Sequence, residues 1–228
     1  MDTQWGIKPD KDKVLMLAQR EVAVFVYDAV NLEGINFTLP EIQTLLEGVT
    51  VGGHKLSDQQ IAINQGNAWT HLFLSIKENS FRFNKNYACQ LHAIAAKEEA
   101  LQWGAFRTSG VTIAGTQYTP PEHSSLEELF NVMISEVESL NDIYDQAISV
   151  FLLMSRYQFF YDVNKRMGRF LMNAILLNNG YPAINLPAKR QLEFNQLMIK
   201  FYDTGEKLLM NQFMRSCLDK RIIKIMLE

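Results

Sequence analysis

The sequence has little of the residue types that usually mark a metal site or a disulfide framework. Its 228 residues include only two cysteines and four histidines. Cys89 and Cys217 have no spacing typical of metal ligands, so we expect a reduced intracellular pair rather than a disulfide. Neither cysteine is predicted to be a nucleophile, and the chemistry has to be sought among other side chains.

The chain also lacks an excess of positive charge and any long apolar run. Its 22 Lys and Arg residues and 25 Asp and Glu residues give a net charge of -3. No basic field would therefore attract nucleic acid, and phosphate binding would need a local site. The apolar stretches fall short of ~20 residues and the first residues lack a signal-peptide core. We therefore expect a cytoplasmic protein with no membrane partner.

What the sequence does have is apolar residues at helical spacing. The hydrophobic content of 47% can supply one sizeable core or two small ones packed together. The spacing predicts an all-α fold with one short β-hairpin flap, formed where residues 103–121 alternate between apolar and polar around two glycines. Thr38 and Glu41 form a predicted capping box. The predicted helices cover residues 12–30, 38–46, 57–78, 84–100, 124–140, 142–156 and 170–179, followed by a helical tail over residues 189–225.

A charged turn between two apolar helices is the strongest chemical signal. It contains Asp162, Asn164, Lys165, Arg166 and Arg169. A helix that begins here would present free backbone N–H groups to an anion, and arginines three residues apart would lie on one face with guanidinium forks for phosphate oxygens. Asp162 could hold Mg²⁺, which often takes one carboxylate besides the phosphates. The residues alone are also compatible with an ordinary solvated helix cap.

Residues 158–169, QFFYDVNKRMGR, resemble the signature of the Fic family, H-x-F-x-[DE]-[AG]-N-[GK]-R followed by x-x-R. The segment keeps Phe160, the acid, the asparagine, the lysine and both arginines. It departs at Gln158, where the family has histidine, and at Val163, where the family has a small residue. Residues 32–53, the predicted flap and the stretch after the motif also resemble the family, so the resemblance spans most of residues 20–215.

The resemblance implies transfer of AMP from ATP with Mg²⁺ to a hydroxyl group of a target protein. Asp162 would hold the metal, Arg169 would bind the γ-phosphate and Phe160 would anchor the loop on the core. The residues that would bind the nucleotide are Asn164, Lys165, Arg166, Gly168 and Arg169. Nucleotide and target protein are thus the implied partners, and a homo-oligomer stays open.

Gln158 stands where the resemblance implies a general base. An amide does not take up a proton near neutral pH, so the base contribution, typically ~10²- to 10⁴-fold, should be absent while nucleotide binding remains. The histidines of the chain are His54, His71, His92 and His123. Only His123, next to the predicted flap, is loosely placed to substitute, and we expect it to be a solvated loop residue.

Glu33 and the flap carry two further implied roles. Glu33 lies in AVNLEG, similar to the family's inhibitory pattern [ST]-x-x-x-E-[GN], in which the glutamate pairs with the second arginine. Ala29 replaces the hydroxyl residue of that pattern. Thr112, Ile113 and Tyr118 would form a flap edge to which a target segment adds as a strand. Glu33 could instead simply close a helix, and the flap could be an ordinary surface hairpin.

Three functions follow as alternatives. The chain could be a nucleotidyl transferase with weak activity, a module that binds nucleotide or protein without transfer, or a helical scaffold in which the charged turn is a relic. Gln158 and Val163 favour the second. We expect residues 1–100 to form a helical region with the inhibitory-type helix, and residues 101–228 to form the core, together one compact unit.

Overall fold

A computed structural model describes residues 5–228, and this part of the chain is mainly helical. It contains eleven α-helices and two short 3₁₀-helices and no β-strand. The α-helices are α1 (Lys11–Arg20), α2 (Val22–Leu32), α3 (Leu39–Leu46), α4 (Leu56–Lys77), α5 (Lys85–Ala95), α6 (Leu126–Glu138), α7 (Ile143–Tyr157), α8 (Asn164–Asn178), α9 (Gln191–Thr204), α10 (Leu208–Ser216) and α11 (Lys220–Leu227). The 3₁₀-helices cover His123–Ser125 and Ala188–Arg190.

Helices α7 and α8 form the centre of the fold. α7 begins at Asp142, whose carboxylate accepts the N–H groups of Tyr144 and Asp145, and nearly every later residue of the helix is buried. α8 returns antiparallel and packs closely on α7, while α4 and α5 cover α8 and α6 and α10 cover α7. The turn between the two central helices therefore sits at one end of the core.

The predicted capping box is confirmed, and the helix predicted over residues 170–179 ends within one residue of its predicted end. Thr38 and Glu41 form the capping box, in which the Glu41 carboxylate accepts the Thr38 N–H at 2.7 Å. Gly180 follows the end of α8 with φ +79, the left-handed conformation that glycine adopts without steric cost. No helix of the described chain is both long enough and apolar enough to cross a bilayer.

The predicted helix over residues 12–30 is wrong because it is two helices. The chain turns at Glu21, which has φ -97 and ψ 2, and whose N–H donates to the carbonyl of Ala18. α1 packs on α8, whereas α2 packs on α3 and α4. Apolar residues continue through the break, so spacing alone does not reveal it. Likewise α5 ends at Ala95, five residues before the predicted end.

The predicted β-hairpin flap is not formed. Residues 107–122 include a turn at residues 114–115 with Gly115 at φ +83, but no backbone ladder on either side. Thr116 uses its hydroxyl twice, donating to Asp203 and accepting the Tyr118 N–H at 3.0 Å. Side-chain bonds of this kind compete with strand pairing, and Pro120 and Pro121 offer no N–H group to a ladder. The segment is an irregular loop.

Candidate functional site

The turn between α7 and α8 is closed by Asn164. Its side-chain oxygen accepts the N–H of Phe160 at 2.9 Å and its nitrogen donates to the carbonyl of the same residue at 2.8 Å. The same nitrogen donates to Oε1 of Gln158 at 3.0 Å. Asn164 is only 3% exposed. Because one amide satisfies both backbone groups of Phe160, the turn has a defined shape.

Both polar atoms of the Gln158 side-chain amide are hydrogen-bonded. Its Nε2 donates to the carbonyl of Ser155, while its Oε1 accepts from Asn164. The residue ends α7 in the left-handed conformation with φ 51. Gln158 therefore acts as a structural bond in the turn, and its amide has no proton-accepting chemistry to offer a substrate.

His92 supports the turn from α5, a role that the sequence did not predict. Its ring stacks on Phe160 with centroids 3.8 Å apart, its Nε2 lies 3.3 Å from the carbonyl of Asp162, and its Nδ1 accepts the Gly104 N–H at 3.0 Å. Burial lowers the pKa of His92 to about 4. A neutral, fully buried imidazole with both nitrogens engaged cannot replace the missing base. His123 lies at the start of the 3₁₀-helix before α6, with its Nδ1 4.0 Å from Glu122.

Arg107 ties the turn to the loop that was predicted as a flap. Its Nε donates to the carbonyl of Gln158 at 2.6 Å, and its two terminal nitrogens donate to the carbonyls of Ser109 and Pro121. The side chain is almost fully buried, at 2% exposed. Burial lowers the pKa of Arg107, with Glu122 acting in the opposite direction. Its position in a predicted strand gave no signal of this role.

The turn and the first residues of α8 line a cavity of about 60 Å³. Val163 precedes α8 in the left-handed conformation with φ +64, and its side chain makes no capping hydrogen bond. α8 has 15 residues, so its N-terminus carries partial positive charge. The residues that line the cavity are Glu33, Gln158, Asp162, Val163, Asn164, Lys165 and Arg166.

Glu33 places its carboxylate among three cations at this cavity. Its oxygens lie 3.8 Å from Lys165 Nζ, 4.0 Å from Arg166 Nε and 3.9 Å from Arg169 Nη2. Burial acts to raise the pKa of Glu33, but the three cations outweigh burial and lower it. The sequence paired Glu33 with Arg169, and the structure brings it to all three cations. Its backbone also ends α2, so closing the helix and meeting the cations occur together.

Arg166 does not offer its guanidinium fork to the cavity. Both terminal nitrogens bind the carboxylate of Glu99, with Nη1 2.8 Å from Oε2. The side chain of Arg166 is 4% exposed and that of Glu99 is 15% exposed. The sequence predicted a fork for phosphate oxygens, but a partly buried acid from the segment after α5 already occupies it. Nothing in the local pattern around Glu99 indicated this contact.

Arg169 and Gly168 lie deeper than the predicted phosphate loop. Burial lowers the pKa of Arg169 to about 10, and its Nη2 has no hydrogen bond although Glu33 lies nearby. Arg169 and Ala29 line a second cavity of about 30 Å³. Gly168 faces α7 and does not line the cavity at the motif turn. A Cβ at this position would lie 2.8 Å from the carbonyl oxygen of Phe151. Its small size serves helix packing.

Asp162 fits the expected metal role. It is exposed at the cavity, and its Oδ1 accepts the Val163 N–H at 2.6 Å. No cluster of three or more metal-ligating side chains occurs among residues 5–228. Mg²⁺ commonly takes one or two carboxylates and completes its shell with water and phosphate oxygens. A single accessible carboxylate next to an anion site suits Mg²⁺ that arrives with a nucleotide.

The three residues predicted for a target-binding edge lie on the irregular loop. Thr112 is exposed, whereas Ile113 and Tyr118 are partly buried. Tyr118 stacks on Tyr202 at 6.3 Å and lies under the guanidinium of Arg156 at 4.4 Å. The structure thus gives Tyr118 a packing role, and the exposed backbone lies on either side of it.

Comparisons with known proteins find similar sequences and similar folds. Residues 82–176 match the model of the Fic/DOC family. Relatives described as Protein adenylyltransferase Fic from Drosophila mojavensis and Drosophila grimshawi are each 22% identical and are matched over 86% of this chain. The alignments cover 40% and 41% of those relatives, so the chain spans about two fifths of their length.

Solved structures show the same fold. Fic-1 (residues 134–508) from C. elegans superposes with a TM-score of 0.81 at 16% identity, covering 97% of this chain and 67% of that chain. A Fic domain containing signaling protein from Bacteroides thetaiotaomicron superposes with a TM-score of 0.78, also at 16% identity, covering 96% of this chain and 90% of that one.

Proposed function

We propose that the chain is a Fic/DOC-family protein whose motif turn binds the phosphates of Mg-ATP and whose AMP transfer to protein hydroxyls is weak or lost; the match of residues 82–176 to the family model supports this. The observation that carries the proposal is the convergence of Lys165, Arg166 and Arg169 on one carboxylate, that of Glu33, beside the N-terminus of α8. A phosphate has the charge and the acceptor oxygens to replace that carboxylate.

The weak or absent transfer follows from Gln158. In the family reaction a target hydroxyl attacks the α-phosphorus of ATP, pyrophosphate leaves and a base accepts the hydroxyl proton. Gln158 cannot accept it, and its amide is bonded to Ser155 and Asn164. Loss of a positioned base costs ~10²- to 10⁴-fold in rate. These bonds favour the alternative that the chain is a non-catalytic module that holds a nucleotide or a protein.

Binding is tested by calorimetry of Mg-ATP with the parent chain and with Glu33→Gly, which removes the carboxylate from the cations. We expect Glu33→Gly to bind more tightly than the parent. Adding Lys165→Ala should weaken binding about 10- to 100-fold because a charge-assisted contact is lost. Lys77→Ala, at the end of α4 and far along the chain from the motif, is the matched control and should bind like Glu33→Gly alone. Absence of binding to Glu33→Gly would sink the nucleotide site.

Transfer is tested by adding Gln158→His to Glu33→Gly. The two readouts are pyrophosphate release and label from α-labelled ATP on the chain itself, neither of which needs a known target. We expect label only with the histidine, at a rate ~10²- to 10⁴-fold above the glutamine form. Equal labelling without the histidine would show an active transferase that uses another base.

A further inference from the structure

Glu99 forms the most buried ion pair of the motif region. Its carboxylate binds both terminal nitrogens of Arg166, 67 residues further along the chain, and these are charge-assisted hydrogen bonds. Burial alone would lower the pKa of Arg166, but the bonds and charge of Glu99 raise it. Arg166 is thus protonated, and the carboxylate of Glu99 offsets its positive charge before any ligand arrives.

The remaining nitrogen of Arg166 is the one that faces the cavity. Its Nε is buried without a hydrogen bond and lies 4.0 Å from Glu33. The guanidinium therefore has one face committed to Glu99 and one N–H group left over. A phosphate that replaced Glu33 would approach Nε of Arg166, while Glu99 still offsets the charge of the guanidinium at its two terminal nitrogens.

We propose that Glu99 competes with the ligand's phosphate for Arg166 and acts as a second inhibitory acid beside Glu33. The inference rests on the proposed function, since it concerns the affinity of the same site for anions. Its physical basis is charge: a fixed carboxylate next to a buried guanidinium repels a second anion and offsets the cation that would attract it.

Lys165, Arg166 and Arg169 supply three positive charges at the cavity. Glu33, Glu99 and Asp162 act on Arg166, and Asp28 acts on Arg169. Removal of Glu33 raises the net charge of this group by one, and removal of Glu33 and Glu99 raises it by two. Anion affinity should rise at each step, with the second step depending on Arg166.

Glu99 is also the more accessible partner of the pair. It lines a surface cavity of about 450 Å³ with the start of α4, including Leu56 and Gln60, whereas Arg166 lines the motif cavity. The ion pair of Glu99 and Arg166 therefore lies between the surface cavity and the motif cavity. A glutamine at position 99 keeps the shape of the side chain and can be solvated from the surface cavity.

The test is a calorimetric titration of Mg-ATP, and separately of inorganic pyrophosphate, into Glu33→Gln and Glu33→Gln/Glu99→Gln. We expect the double variant to bind both probes at least ~10-fold more tightly, since a buried charge effect of this size is ordinary. Glu98→Gln in the Glu33→Gln background is the matched control. It makes the same charge change one residue away, where the side chain pairs only with Lys97 at 3.9 Å, and should change affinity less than ~3-fold.

Two further variants separate competition from damage. Glu99→Asp keeps the charge but shortens the side chain, and should give a smaller gain than Glu99→Gln. With Arg166→Gln in the background, Glu99→Gln should give a smaller gain than with Arg166 present, because the cation whose charge Glu99 offsets is gone. A thermal scan confirms that each variant is folded.

The outcomes distinguish the two proposals. Equal or weaker binding after Glu99→Gln, while Glu33→Gln binds Mg-ATP, would overturn the role of Glu99 and leave the proposed function standing. Binding of Mg-ATP by Glu33→Gln that becomes tighter when Glu99→Gln is added would support both proposals. No binding by any folded variant would overturn both, because removal of both acids should expose the site.

Discussion

The motif turn and the loop over residues 112–118 lie side by side but are built differently. In the turn, the side chain of Asn164 forms hydrogen bonds with both backbone groups of Phe160, and the ring of His92 stacks on the ring of Phe160. In the loop, the Tyr118 N–H bonds only to the hydroxyl of Thr116, and residues 110–117 donate no backbone bond among those described. One region is fixed by the core and the other is open to water.

This difference can be compared with the anion site that we propose and with the target-binding edge that the sequence predicts. An anion site gains from donors that are held in place before the ligand arrives, since no ordering remains to be done on binding. A loop that accepts an extended peptide needs unpaired backbone N–H and C=O groups. The fixed part forms the proposed phosphate site, and the unpaired part is the segment that the sequence predicts as a target-binding edge.

The largest expected difference between the motif turn and the loop is in the rate of amide hydrogen exchange. We expect the amides of Phe160 and Met167, which bond inside the turn, to exchange at least about 10³-fold more slowly than those of Ile113 and Gln117. The measurement is exchange followed by mass spectrometry or NMR at neutral pH. Similar protection in both regions would remove the basis of the comparison.

Acid should weaken the turn through His92. Its pKa is about 4 in the folded chain and near 6.5 when unfolded, so the unfolded chain binds more protons between these values. Stability is therefore fully present above about pH 6.5 and falls as the pH drops toward 4. The expected loss from this group is about 3 kcal/mol at pH 4.

Urea unfolding at pH 7, 5.5 and 4 measures this loss. His92→Asn should give a flatter dependence of the unfolding free energy on pH, because the titrating group is gone. His123→Asn, which replaces an exposed imidazole, is the control and should follow the parent chain. Identical slopes for His92→Asn and the parent would contradict the assignment.

A smaller effect should appear at Val163, where a β-branched residue has φ +64. An alanine at this position keeps the left-handed strain, whereas a glycine removes it. We expect Val163→Gly to be more stable than Val163→Ala by about 1 kcal/mol. Urea unfolding of the two variants gives the difference, and an alanine variant at least as stable as the glycine variant would show that the turn is unstrained.

The sequence was informative where the signal is local. The capping box of α3, the charged turn and the start of α8 all come from residues within a few positions of one another. Glu99, His92 and Arg107 were missed because their partners lie 51 to 70 residues away. An acid, a histidine and an arginine in an ordinary segment carry no mark of the distant backbone or guanidinium that they bind.

The flap was mispredicted for a related reason. Alternating apolar and polar residues indicate a strand only when a second strand is available to pair with it. The side-chain bonds of Thr116 and the two prolines remove that partner locally. The same alternation then serves to tuck Ile113 and Tyr118 toward the core while their neighbours face solvent.

Arg107 has a mechanical consequence. Its guanidinium donates hydrogen bonds to three carbonyl groups. One belongs to Gln158 at the end of α7, and the other two belong to Ser109 and Pro121 at opposite ends of the neighbouring loop. The two ends of that loop cannot drift apart or slide past the turn without breaking buried bonds. The loop that the sequence predicts as a target-binding edge is therefore held at both ends at a fixed position relative to the motif turn.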